Sequence, residues 1–133
     1  LEKVYRINLV GALLVLRGAI SCLRKSSDPL VVNLSSRLGS IALRGTTQLG
    51  GAIAYQCSKA ALNMLTRQSA IDLSSFGIRV VSVSPGWVRT DMGGETAKYE
   101  VDESVRLIRA ALGNLQPTAT GVFIGEDGAT IPW

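Results

Sequence analysis

Tyr55 and Lys59 stand four residues apart in the segment Tyr55-Gln56-Cys57-Ser58-Lys59. On a helix that spacing puts both side chains on one face, one turn apart. A phenol with a pKa of about 10 is a poor base at neutral pH, and a cation one turn away favours its phenolate. The pair could therefore move a proton. Many helices carry such a pair by chance, so its company decides what it means. Upstream, the nearly continuous apolar run Leu30 to Leu34 ends in Ser35-Ser36. A hydroxyl held near a carbonyl oxygen can stabilise the charge that develops there. Neighbouring residues of an extended strand point to opposite sides, so only one of the two serines can face a site. Downstream, an aliphatic run ends in Ser84-Pro85-Gly86-Trp87-Val88-Arg89-Thr90. Asn8 interrupts the apolar stretch around Ile7-Asn8-Leu9-Val10-Gly11, and a buried Asn needs hydrogen-bond partners.

The elements that must hold these groups alternate. Residues 1 to about 25 read as a helix that is apolar on most sides, and such a helix is buried on more than one side. Ser26 to Pro29 is a loop, and Leu30 to Leu34 suits a buried parallel strand. Ser35 to Gly51 reads as a long loop. Ala52 to Phe76 reads as a second helix, stopped by Gly77. Ile78 to Val83 is a second buried strand, broken by Pro85-Gly86. Residues 87 to 101 are irregular. Asp102 is placed to cap a third helix with Val105, Ile108 and Leu112 on its inner face, and Val122 to Ile124 is a short third strand. Helix and strand in alternation predict an α/β fold with a parallel sheet.

Composition removes several kinds of chemistry. The chain has no histidine, which excludes Ser-His and Cys-His catalytic pairs and His-ligated zinc. Two cysteines, Cys22 and Cys57, are too few for a disulfide framework or a four-thiolate metal site. They read as reduced thiols of a cytoplasmic protein, with Cys57 in the core. The net charge of +4 is carried by scattered basic residues, which argues against a nucleic-acid surface. The uncharged stretch Ile7 to Leu16 is about half the length needed to span a bilayer, so no membrane association is expected. No small-residue cleavage site follows it, as a signal peptide would require.

The helix Asn8, the strand-end Ser36, the Tyr55/Lys59 pair and the Pro85-Gly86 turn with its following Thr90 occur in this order across residues 4 to 92. This set resembles the short-chain dehydrogenase/reductase family. Three further segments resemble its carbonyl reductase branch, the one typified by C-factor and sniffer. They are Ser35 to Ile41, Pro85 to Gly94, and Asp127-Gly128-Ala129-Thr130-Ile131-Pro132-Trp133. The resemblance implies the C-terminal part of a Rossmann-like doubly wound parallel sheet. It implies an NAD(P)-dependent oxidoreductase that reduces a carbonyl or oxidises an alcohol by hydride transfer. Preference for NADP rests on the branch alone, and NAD is not excluded. Tyr55 is implied as the general acid/base and Ser36 as the group that polarises the carbonyl oxygen. Lys59 is implied to bind the nicotinamide ribose, and Asn8 to hold a water relayed to Lys59. Pro85, Gly86, Val88 and Thr90 are implied to border the nicotinamide. The family also implies a homodimer or homotetramer formed through the two long helices.

Some features depart from the family pattern. The Gly-rich turn that receives the cofactor pyrophosphate is absent, and Gly50-Gly51 has no strand leading into it. Residues 1–133 therefore read as a single partial domain, the C-terminal half or somewhat more of an enzyme. By themselves they are expected to bind cofactor poorly and to associate. Leu43 to Gly51 looks like an insertion, either shaping a substrate pocket or passive. Trp87 and Met92 either line that pocket or pack in a lid that lacks a charged anchor for one ligand class. The alternatives to an enzyme are a non-catalytic signalling or interaction module and an inactive fragment.

Overall fold

The central strand explains itself from its residues. Arg79-Val80-Val81-Ser82-Val83 is β-branched at three of five positions, and those three valines are fully buried. Such a run has apolar side chains for both faces, as a parallel sheet covered on both sides requires. The computed structural model describes residues 1–45 and 52–133. Its elements are α1 (Glu2–Leu23), β1 (Leu30–Leu34), α2 (Ile53–Asp72), β2 (Arg79–Val83), α3 (Val101–Gly113) and β3 (Phe123–Ile124). The strands lie in the order β1-β2-β3, all parallel. The register pairs Leu30 with Arg79, Leu34 with Val83, and Val83 with Ile124.

Alternation along β2 assigns the helices to the two faces. Val80 packs with Leu16 of α1 and with Ala70 and Leu73 at the end of α2. Val81 and Val83 pack on the opposite face, with Ala111 of α3 and with Ile124. This is the α/β architecture with a parallel sheet and flanking helices. Among the described residues β1 is one edge of the sheet, and its Leu34 is 57% exposed, so the fully buried strand expected there is half-exposed instead.

The contact between α2 and the sheet is largely polar. Ser58, Leu62, Asn63, Thr66, Ser69 and Ala70 form its buried stripe, three and four residues apart. Ser82 Oγ and Asn33 Nδ2 both donate to Thr66 Oγ1, at 2.8 and 2.9 Å. Ser35 Oγ donates to Asn63 Oδ1 at 2.7 Å, and Asn63 Nδ2 donates to the Gly39 carbonyl at 3.4 Å. Small hydroxyl side chains let the helix approach closely, and their buried polar atoms are satisfied by one another.

Several expected boundaries shift. α1 ends at Leu23 and contains a π-helical turn over Arg6–Gly11, which holds Asn8. The whole helix, with mean hydropathy 1.6, is long and apolar enough to cross a membrane, against the shorter uncharged stretch read from sequence. It packs here on α2 and β1. α2 ends at Asp72, and a short 3-10 turn over Ser74–Phe76 precedes Gly77, whose φ of +68° makes the reversal into β2. α3 starts one residue before Asp102, after extended Glu100, so Asp102 is in its first turn and not its cap. That offset turns Val105 out to solvent and Ser104 in, where Ser104 Oγ donates to the Pro85 carbonyl at 2.7 Å. Cys57 is exposed and not in the core, because α2 turns its Ser58 side to the protein and Cys57 away from it. Residues 46–51, including Gly50, Gly51 and most of the expected insertion, lie outside the described residues.

Candidate active site

The candidate groups gather at the C-terminal ends of β1 and β2. Open α/β sheets bind ligands at that edge, because the chain there leaves the strands in loops free to diverge. β1 runs into Ser35, which turns inward to Asn63 and is buried. Ser36, next along the extended chain, is half-buried and begins a 3-10 turn over Arg37–Gly39, its Oγ accepting from the Leu38 N–H at 3.1 Å. Gly39 lies against α2 so closely that a methyl there would sit 2.7 Å from the Lys59 carbonyl carbon. The serine turn therefore rests directly on the helix turn that carries Lys59.

Lys59 reaches back across the gap. Its Nζ donates to the Leu34 carbonyl at 2.8 Å and stands 5.6 Å from the centre of the Tyr55 ring. Burial lowers the Lys59 pKa from its ordinary value, since desolvation disfavours the ammonium. Asn8 meets α2 from the other side. Its Nδ2 donates to Ser58 Oγ at 3.0 Å, and Ser58 Oγ donates to the Tyr55 carbonyl at 2.7 Å. The asparagine thus braces the backbone of the tyrosine through Ser58. The π turn around it widens the helix where the amide points inward, a distortion frequent at functional sites.

One open cleft of about 320 Å³ is lined by Ser36, Tyr55, Pro85, Gly86, Val88 and Thr90 together, with Trp87 and Met92 on its outer side. Trp87 Nε1 donates to the Gly93 carbonyl at 2.6 Å, which closes the segment after β2 on itself beside the cleft. Lys59 and Asn8 do not line this cleft and contact its neighbours, Lys59 at Leu34 and the Tyr55 ring and Asn8 at Ser58. A second cleft of about 560 Å³ shares Ser36, Leu38, Gly86 and Trp87 with the first and continues to Arg37, Lys98, Tyr99, Glu126 and Asp127. Lys98, from the segment read as lacking a charged anchor for one ligand class, is a charged group on the wall of this second cleft. Its ammonium lies 4.8 Å from the centre of the Tyr99 ring. Glu126 is a buried carboxylate that spacing gave no sign of. Its position two residues past the end of β3 was the available clue.

The residues present fit the nicotinamide end of a dinucleotide. A lysine ammonium has three N–H groups, and the Leu34 carbonyl takes one, which leaves donors for a ribose diol. Gly86, at φ +77°, turns the Pro85 to Val88 backbone along the cleft wall.

A family profile described as short chain dehydrogenase matches residues 1–101. The chain belongs to that family. As a short-chain dehydrogenase it is 38% identical over 133 residues to C-signal of Myxococcus xanthus, covering all of this chain and 78% of that protein. Its fold superposes on the crystal structure of NADPH-bound carbonyl reductase from chicken fatty liver with a TM-score of 0.91 and 37% identity. Carbonyl reductase Sniffer of D. melanogaster follows with a TM-score of 0.88 and 33% identity. This chain is covered to 99% and 97% in those two comparisons, but it spans only 56% and 55% of the two reductases. The carbonyl-reductase likeness read from the segments around Ser36, Pro85 and Pro132 is matched by these neighbours.

Proposed function

We propose that this chain carries the catalytic part of an NADP-dependent carbonyl reductase, with NAD as the alternative cofactor and alcohol oxidation as the reverse reaction. The carrying observation is that Ser36, Tyr55 and the Pro85–Thr90 turn line one cleft, with Lys59 one helical turn behind the phenol. The NADPH held by the chicken reductase supports the cofactor reading. Tyr55, Lys59, Pro85, Gly86, Val88 and Thr90 would hold the nicotinamide end. Bound nicotinamide supplies or accepts the hydride. Ser36 donates a hydrogen bond to the substrate oxygen as negative charge grows on it. Tyr55 hands its phenolic proton to that oxygen, and takes one back in the oxidative direction. The Lys59 ammonium stabilises the phenolate left behind. Asn8 and Ser58 hold the first turn of α2 and so fix where the phenol stands. The substrate is a small carbonyl compound or alcohol, and neither nucleic acid nor membrane enters the reading. The chain works in the cytoplasm.

The test is Tyr55→Phe in the full-length protein. Turnover of NADPH with a panel of aldehydes and ketones should fall at least about a thousandfold, with the Kd for NADPH within about twofold. Turnover at the parental rate would reject the assignment. The same panel run with NADH decides between the cofactors.

A second reading is a signalling or interaction module. It is favoured by the likeness to C-signal, which runs along the whole chain. A biological activity that survives loss of both Tyr55 and Lys59 would select it.

The exposed apolar residues of α1 and α2, among them Leu14, Val15, Met64 and Ile71, supply the faces through which two or four copies would pair.

A further inference from the structure

We infer that Glu126 and Arg37 form a positioning pair that sets Ser36 against the Pro85-Gly86 turn, an inference that rests on the reductase reading above. Glu126 is 6% exposed, and its Oε2 accepts from Arg37 Nη2 at 2.8 Å. Its Oε1 accepts from the Tyr99 hydroxyl at 3.3 Å. Three segments that border the two clefts meet on this carboxylate, which itself lines the second.

The first segment is the serine turn. Arg37 is bonded to Ser36 in the chain, and its backbone N–H donates to the buried Ser84 Oγ at 3.2 Å. Arg37, the residue beside Ser36, is therefore held at its backbone by Ser84 and at its guanidinium by Glu126. The second is the turn after β2. A methyl at Gly86 would lie 2.8 Å from the Tyr99 ring and 2.9 Å from the Glu126 carboxyl carbon. The third is the outer segment. Tyr99 donates its N–H to the Trp87 carbonyl at 3.0 Å and accepts from the Arg89 N–H at 2.8 Å. Gly125 completes the enclosure, since a methyl there would collide with the Arg37 guanidinium. Glycine stands at both places where backbone presses on the pair.

The charged groups around the carboxylate are Arg37, Asp127 and Lys98. Asp127 Oδ1 stands 3.9 Å from the same guanidinium nitrogen, and Lys98 lines the adjoining cleft. Neither Glu126 nor Arg37 lines the cleft shared by Tyr55 and Ser36. The pair therefore acts through Ser36 and Gly86, by fixing where a hydrogen-bond donor and a backbone turn stand. Catalysis by a fixed donor is sensitive to displacements of an ångström or less.

The test is a double-mutant cycle in the full-length protein, with NADPH turnover and thermal melting measured together. Glu126→Gln and Arg37→Ala should each lower kcat by about tenfold. The KM for NADPH should change less than kcat, because the ribose is held from α2 and only the Pro85-Gly86 turn of the cofactor's contacts rests on the pair. The double variant should fall no further than either single one, as expected of residues acting as a unit. A purely structural role would instead lower the melting temperature and leave kcat per folded molecule at the parental value. If Glu126→Gln fails to fold, Arg37→Lys keeps the charge without the planar fork and should also lower kcat. Parental kcat in folded Glu126→Gln or Arg37→Lys overturns the inference, and so do losses that multiply in the double variant. Tyr55→Phe in the same assay separates the two levels. If it retains turnover, or if the parent shows no nicotinamide-dependent turnover, the reductase reading fails and the positioning role falls with it.

Discussion

Lys59 is the residue whose environment works against its charge. Its ammonium is desolvated between β1 and the Tyr55 ring, which depresses its pKa in the folded chain. The unfolded chain then binds the proton more tightly than the folded one, so this charge destabilises the fold at neutral pH. The destabilisation is complete below the folded-state pKa. It fades as pH rises through that value and is gone above the ordinary lysine value of 10.5. Lys59→Met should therefore melt at a higher temperature than the parent at pH 7 while losing turnover. The advantage should shrink in melts taken toward pH 10. A gap that stays constant with pH would refute the account. A cost retained in a fold is expected where it serves the site, here a cation beside a phenol. This pair was legible in the sequence because helix geometry alone brings residues i and i+4 together. Glu126 was not, because its partners Arg37 and Tyr99 are 89 and 27 residues away.

At the scale of elements, the site depends on how α2 sits on the serine turn. Gly39 is the contact point, and a methyl there would meet backbone atoms of Lys59 and Ala60 rather than the end of a flexible side chain. Gly39→Ala should cost about 1–3 kcal/mol, the usual penalty of overpacking. It should also lower kcat, because Ser36 and Lys59 are pushed apart from this point. Melting and steady-state kinetics on one preparation would check both, and an unchanged kcat would show that the turn can move without moving the serine. Helices and strands were legible here to within a few residues, since aliphatic runs and glycine stops announce them. The π turn at Asn8 and the start of α3 were not. The first depends on what Asn8 finds to bond across fifty residues of chain. The second depends on Glu100 adopting extended backbone and on Ser104 finding the Pro85 carbonyl.

The whole molecule leaves much apolar surface to be covered. Leu34 on the β1 edge and Ile7, Leu14 and Val15 on α1 are each more than half exposed. An open parallel edge beside such a helix invites association. The 133 residues by themselves should bind NADPH with a Kd above about 10 μM and scatter light as more than a monomer. Leu14→Asp with Met64→Asp should reduce the scattering mass without moving that Kd. Tighter binding by the 133-residue chain would mean that the nicotinamide end alone carries the affinity. Parallel order and helices on both faces were legible from alternation along the chain. The mouth of the cleft was not, because it joins Trp87 to Tyr99 and Glu126 from segments with no shared pattern.

The hydrogen bonds beneath α2 make its placement discrete. A helix held only by apolar contact can creep or roll by small amounts, since burial has no direction. Hydrogen bonds weaken steeply once their angles open. Thr66 answers to two strands at once, Asn63 to Ser35 and Gly39, and Ser58 to Asn8. The next position that restores a repeating pattern lies a full residue away, with a roll of about 100°. The phenol of Tyr55 is therefore either seated or unseated, with no gradual drift between. Sequence change on the outer face of α2 can accumulate without blurring the site, much as a keyed shaft tolerates wear everywhere except at the key.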